Sequence, residues 1–194
     1  RKPKRENCTF YDSPAACLEA GYRPCKRCHP LGRAEPLVSD LLAALDADPA
    51  RRWSESDLTA RGLDPSTVRR AFKRATGLTF LDLARQRRLA AAGRALTDGA
   101  RVIDAQIEAG FDSPSAFREA FARLIGMAPG AFQPGALLRA SWIATPLGPM
   151  VAVADNHALH LLEFMERKGL RRELERLREA AKGRIGIGRN AVLD

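Results

Sequence analysis

Four cysteines stand in the first 28 residues: Cys8, Cys17, Cys25 and Cys28. The last two form a Cys-x-x-Cys pair inside Arg23-Pro24-Cys25-Lys26-Arg27-Cys28-His29. Thiolates at that spacing hold a metal ion, form a redox pair or stand as ordinary thiols. Bound to zinc, they stay deprotonated at neutral pH and can still attack a carbon electrophile. The residues leave two arrangements open. All four cysteines can close one zinc site, or Cys25 and Cys28 can be half of a site whose other ligands lie elsewhere. In the second case Cys8 and Cys17 are semi-buried thiols. His157 and His160 have no nucleophile near them in sequence and read as turn and strand residues.

The second set of chemical groups is cationic. The chain of 194 residues carries a net charge of +9, and the surplus sits in two blocks, +5 over 1–33 and +7 over 51–97. Blocks of positive charge suit a nucleic-acid surface, although Arg-rich helix faces can also be merely solvated. No apolar run approaches the roughly 18–20 residues of a membrane span. Arg1-Lys2-Pro3-Lys4-Arg5 is followed by no apolar stretch, so no signal peptide is expected, and the cytoplasm is. There, cysteines serve as metal ligands or reactive thiols rather than disulfides.

The elements that must carry these groups follow from turn chemistry and periodicity. Gly62-Leu63-Asp64-Pro65-Ser66 leads to Ala71-Phe72-Lys73-Arg74 and Gly77. Gly110-Phe111-Asp112-Ser113-Pro114-Ser115 leads to Ala120-Phe121-Ala122-Arg123 and Gly126. Each copy predicts a helix stopped at glycine, a tight turn, an N-cap with proline at the first helical position, and a second helix. Ser54 with Asp57 predicts a capping box for the helix entering the first copy. This is a helix-turn-helix written twice. In the first copy Val68, Ala71, Phe72 and Ala75 share one face, leaving Ser66, Arg69, Arg70 and Lys73 outward. In the second, Phe117, Ala120, Phe121 and Leu124 face inward, leaving Ser115, Arg118 and Glu119 outward. Phe80 to Thr97 reads as one helix with Leu83, Leu89, Ala92 and Leu96 inward, spanning roughly 27 Å. A spacer of that length can hold two recognition helices near one DNA turn, roughly 34 Å, apart.

Trp53-Ser54-x-x-Asp57-Leu58-Thr59-Ala60, Val68-Arg69-Arg70-Ala71-Phe72-Lys73-Arg74-x-Thr76-Gly77 and Ala109-Gly110-Phe111-Asp112-Ser113-Pro114-Ser115, with Gly126-Met127-x-Pro129, resemble the AraC/XylS family of transcription activators. The resemblance covers about 37–132. It implies that both helix-turn-helix units bind double-stranded DNA. By position it implies base-edge contacts from Ser66, Arg69 and Arg70, and from Ser115, Arg118 and Glu119, with Lys73 on phosphate. Pro129 is followed by Phe132-Gln133 where the family usually carries an aromatic and Arg.

Upstream, Arg5-Glu6-Asn7-Cys8-Thr9-Phe10-Tyr11 and Ala20-Gly21-Tyr22-Arg23-Pro24-Cys25-Lys26-Arg27-Cys28-His29-Pro30 resemble the metal-binding domain of Ada-type adaptive-response proteins. In that family four cysteines hold Zn2+, and one accepts a methyl group from a methylated phosphate. The resemblance implies that Cys25 and Cys28 are the second ligand pair and that the first pair belongs upstream of Arg1. Downstream, Ala140-Ser141-Trp142-Ile143-Ala144-Thr145-Pro146-Leu147-Gly148-Pro149-Met150 resembles the opening of the methylguanine-DNA methyltransferase domain, with its ribonuclease H-like first subdomain. The Pro-Cys-His-Arg motif of that domain has no counterpart here.

The expected architecture is mainly α and multi-domain. It comprises part of a small Cys-rich zinc domain over 1–32, an AraC-type double helix-turn-helix over 35–133, and a partial α/β ribonuclease H-like subdomain over 140–194. The last is expected as strands over 141–164 and a helix over 170–182: three short strands and one helix, too small a core to stand alone. The chain reads as an internal fragment. Its parent is expected to activate the alkylation-damage response, with RNA polymerase as a partner. That parent would also repair methylated DNA as a methylated-DNA–protein-cysteine methyltransferase, by irreversible methyl transfer to cysteine. The fragment itself has no catalytic residue on this reading, should lack methyl transfer and should hold zinc poorly. One alternative is an AraC-type regulator with only a structural metal module, which has no need of a strand-rich tail. Another is a parent ending in a DNA glycosylase, which would be mainly helical after residue 140.

Overall fold

Side chains that satisfy exposed backbone groups set the helix boundaries in the middle of the chain. In the computed structural model, which describes residues 8–12, 14–23, 36–145, 148–167 and 169–194, Ser54 caps α3 (Glu55–Ala60). Its hydroxyl accepts from the Asp57 amide at 3.2 Å, and the Asp57 carboxylate accepts from the Ser54 amide at 2.8 Å. That is the capping box expected from the sequence. Asp64 caps α4 (Pro65–Thr76) and Ser113 caps α7 (Pro114–Ile125), each with proline in the first turn. The turns before them pass through Gly62 at φ 73° and Gly110 at φ 67°, a left-handed backbone that favours glycine. α6 (Val102–Glu108) precedes the second turn as α3 precedes the first. Two further helices, α1 (Pro14–Glu19) and α2 (Pro36–Ala47), lie upstream.

The long helix α5 (Phe80–Thr97) has the boundaries that the sequence predicts, but it is buried on more than one side. Its first half packs Phe80, Leu83 and Ala84 against Val38, Leu41 and Leu45 of α2 and against Trp53, Leu58 and Phe72. The rings of Trp53 and Phe72 meet that of Phe80 at 5.0 and 5.2 Å. Its second half packs Leu89, Ala92 and Leu96 against Phe117, Phe121 and Ile125. A helix that serves two cores in succession shows no single apolar stripe.

The remainder is an α/β unit of four strands and a helix: β1 (Leu138–Thr145), β2 (Gly148–Ala154), β3 (Leu159–Phe164), α8 (Leu170–Ala180) and β4 (Ile185–Ile187). The strand order is β3-β2-β1-β4, antiparallel except for β4, which runs parallel to β1 after the crossover through α8. Among the described residues the expected three strands are therefore four. Ile185-Gly186-Ile187 is too short for an alternating pattern to be visible in sequence. The expectation of too small a core is met by sharing one. Trp142, Val151, Val153, Met165, Leu170 and Ile185 belong to the same apolar cluster as Phe117 and Phe121 of α7. The junction is tight: a Cβ on Gly93 of α5 would lie 2.4 Å from the indole of Trp142. Beside it, the Trp142 amide donates to the Thr97 hydroxyl at 3.1 Å. Among the described residues no helix is long and apolar enough to cross a membrane.

Candidate nucleic-acid interface

The helices α4 and α7 present the side chains that periodicity assigns to their outer faces. Ser66, Arg69, Arg70 and Lys73 on α4 are exposed, as are Ser115, Arg118 and Glu119 on α7, while Val68, Phe72, Phe117 and Phe121 are buried. Without DNA, Arg69 donates to Glu55 of α3 at 2.6 Å, and Ser66 donates to the Asp64 carboxylate at 2.7 Å. An exposed ion pair contributes about 0–1 kcal/mol, so Arg69 can leave Glu55 at little cost.

The start of α4 is held by charge as well as geometry. The Asp64 carboxylate accepts from the Ser66 hydroxyl and from the Thr67 side chain and amide, which brings its pKa down from 3.8 to about 2. The folded value lies below the unfolded one. The cap's contribution is therefore complete above about pH 4 and is lost as pH falls through about 2. An NMR titration should give Asp64 a midpoint near 2, and Asp64→Ala should lower the melting temperature at pH 7, by an amount that shrinks below about pH 4 and vanishes as pH falls past the folded midpoint. A midpoint at 3.8 would mean that the helix start is not capped in solution.

Two contacts tie the helix-turn-helix units to each other, and sequence reasoning missed both. Arg52, before α3, pairs with Asp112 in the turn before α7. Arg88, in the middle of α5, donates from Nη1 to the carbonyls of Ala109 and Gly110 at 3.1 and 3.0 Å. Both line a cleft of about 720 Å3 between the units, with Trp53, Arg85 and Arg123. In sequence, Arg88 ends the polar run Arg85-Gln86-Arg87-Arg88 and resembles any solvated arginine.

The cysteine segment reaches this assembly through Arg23, two positions before Cys25. Its guanidinium lies 3.8 Å over the Phe164 ring and pairs with Glu166, which lies 3.5 Å from Arg87 of α5. Burial pulls the Arg23 guanidinium below its ordinary pKa, against the opposing pull of Glu166. Cys8 and Cys17 are half-buried thiols, and the proposed ligands Cys25 and Cys28 lie outside the described residues. Among the described residues no three His, Cys, Asp or Glu side chains gather to hold a metal ion. His157 lies in the turn after β2. His160, on β3, meets Asp155 at 2.8 Å through Nε2.

Comparison with known proteins bears on both ends of this arrangement. A family described as a helix-turn-helix domain matches residues 59–134, and one described as the metal binding domain of Ada matches residues 1–30. An AraC-like transcription regulator of Streptomyces lividans is 35% identical over 104 residues, 53% of this chain and 34% of its own length. The bifunctional transcriptional activator/DNA repair enzyme AdaA of Bacillus subtilis is 27% identical over 140 residues, covering 69% of this chain and 65% of AdaA. The bifunctional transcriptional activator/DNA repair enzyme Ada of Escherichia coli is 29% identical over 144 residues, covering 70% of this chain and 39% of Ada. The matched stretch thus spans between a third and two thirds of these relatives. With a metal binding domain of Ada matched ahead of a helix-turn-helix domain in one chain, the protein is similar to the Ada-type relatives over most of its length.

Proposed function

We propose that the chain binds a two-part promoter site by placing α4 and α7 in successive major grooves, and that it activates the alkylation-damage response from there. The observation that carries this reading is the pair of capped helices whose arginines stand exposed on their outer faces. Arg69, Arg70 and Arg118 read guanine edges, Ser66, Ser115 and Glu119 make shorter-range polar contacts to bases, and Lys73 meets phosphate. The full protein is a cytoplasmic activator that engages RNA polymerase and repairs methylated DNA by irreversible transfer of methyl groups to cysteine. In it, Cys25 and Cys28 serve as two ligands of a zinc ion over residues 1–32. The double helix-turn-helix occupies 35–133, and residues 140–194 are the opening of the methyltransferase domain. The names of the Ada relatives and the α/β character of the strand unit support that assignment.

The test is a binding titration on a duplex selected from a random library, against a scrambled duplex, at two salt concentrations. Arg69→Ala, Arg70→Ala and Arg118→Ala should each weaken the selected site by about 5- to 150-fold, the range of a lost bidentate contact, and change the scrambled duplex little. Lys73→Ala should weaken both alike and reduce the salt slope by about one. Equal losses on both duplexes for the three arginines would make the molecule a non-specific clamp.

A further inference from the structure

We propose that Arg88 is a positioning residue: it fixes the second helix-turn-helix against the first and so sets the spacing between DNA half-sites that the chain accepts. The inference rests on the two-helix reading of DNA binding above.

Arg88 is 8% exposed and sits midway along α5, where the first core gives way to the second. Its Nη1 donates to the Ala109 and Gly110 carbonyls, which close α6 and open the turn into α7. The Ala109 carbonyl, at the C-cap of α6, is one of those that a helix end leaves without an internal donor. The guanidinium carbon lies 4.8 Å from the Phe111 ring centre, and that ring meets Phe117 of α7 at 5.4 Å. One rigid fork therefore links the spacer helix, through the turn, to the second recognition helix.

The site is an expensive place for a charge. Arg88 has no carboxylate in an ion pair with it among the described residues, and its Nε is buried with no hydrogen-bond partner. The nearby acid, Asp112, is already paired with Arg52. Burial and the neighbouring Arg52 and Arg85 all push the guanidinium below its ordinary pKa. An apolar side chain would fill the space without this cost, but it would leave two carbonyls and the turn free to shift. A planar guanidinium with fixed donors defines an orientation that a methylene chain does not. The parallel tie, Arg52 to Asp112, is 63% and 78% exposed, so it adds little to the lock. Arg88 is the stronger of the two.

The experiment measures half-site spacing. The probes are the selected duplex, the same duplex with one base pair inserted or removed between half-sites, and a duplex carrying only the half-site whose binding depends on Arg69. The proteins are the wild-type chain, Arg88→Met and Arg88→Lys. With the linkage loosened, Arg88→Met should bind the selected duplex about tenfold more weakly, as for two modules whose joint geometry is no longer preset. Its affinity for the single half-site should stay within about twofold, because the first core is untouched. The penalty for altered spacing should shrink toward unity, with Arg88→Lys between Arg88→Met and wild type because an ammonium lacks the planar fork. If both variants keep the wild-type spacing penalty, or both lose the single half-site as well, Arg88 does not position the second unit. If the wild-type chain itself ignores spacing, the two-groove reading falls, and this inference falls with it.

Discussion

Replacing Trp142 with alanine should lower the stability of the chain by about 3–5 kcal/mol, the usual cost of emptying a buried aromatic site. The indole is 3% exposed and its ring meets those of Phe121 at 5.6 Å and Phe132 at 6.2 Å, so the cavity opens among bulky groups that cannot easily collapse. Gly93 provides the complementary experiment. In a helix interior, Gly→Ala normally stabilises by about 1 kcal/mol. Here the added Cβ would stand 2.4–2.6 Å from three atoms of the indole, so overpacking should win and Gly93→Ala should cost about 1–3 kcal/mol net. With Trp142 already alanine, the same substitution should become neutral or stabilising by up to about 1 kcal/mol, a coupling that reports direct contact. Denaturant unfolding of the four proteins measures it. Additive losses would show that the strand unit does not pack on α5 in solution.

Glu166→Ala should be the other large loss, about 3 kcal/mol, near the lower end of what removing one partner from a buried ion pair costs. The Glu166 side chain is 17% exposed and serves two cations at once, Arg23 from the cysteine segment and Arg87 from α5, whose side chains are 28% and 16% exposed. Without the carboxylate, two guanidinium groups that repel each other remain largely out of water. Among the described residues, Arg87 then keeps an ion pair with Asp46 alone, 65% exposed and 3.5 Å away. The stability loss should come with faster amide exchange over 14–23, because Arg23 anchors that segment to the strand unit. Glu166→Gln, which keeps an acceptor and the shape, should lose less. A loss below about 1 kcal/mol for Glu166→Ala would place the cluster among screened surface pairs.

What could be read from the sequence divides along physical lines. The caps at Ser54, Asp64 and Ser113, the turns at Gly62 and Gly110, and the sidedness of α4 and α7 are all local. Each depends on residues within a few positions, and each was legible. The outward arginines were legible for the same reason. Three of the features that were not legible show why. The burial of α5 on more than one side was hidden because it packs against one group of helices and then another, which erases a single period. Arg88 was hidden because its partners lie 21 and 22 residues away and its neighbours are also charged. Gly93 reads as a weak point in a helix until Trp142, on a strand nearly fifty residues later, is placed against it.

The shared cluster around Phe121 and Trp142 bears on how such a chain can be inherited. Residue 134, where the helix-turn-helix match ends, marks a joint in sequence, yet the packing runs across it without a break. An exchange of genetic segments at that joint would separate two halves of one interior. The helices would be left with a glycine notch at position 93 shaped for an indole, and with bare aromatic rings beside it. Any new neighbour would have to arrive with a large flat side chain at the right height. Helices and strands packed in this way are expected to travel through descent as a pair, however separable they look when written as a line of letters.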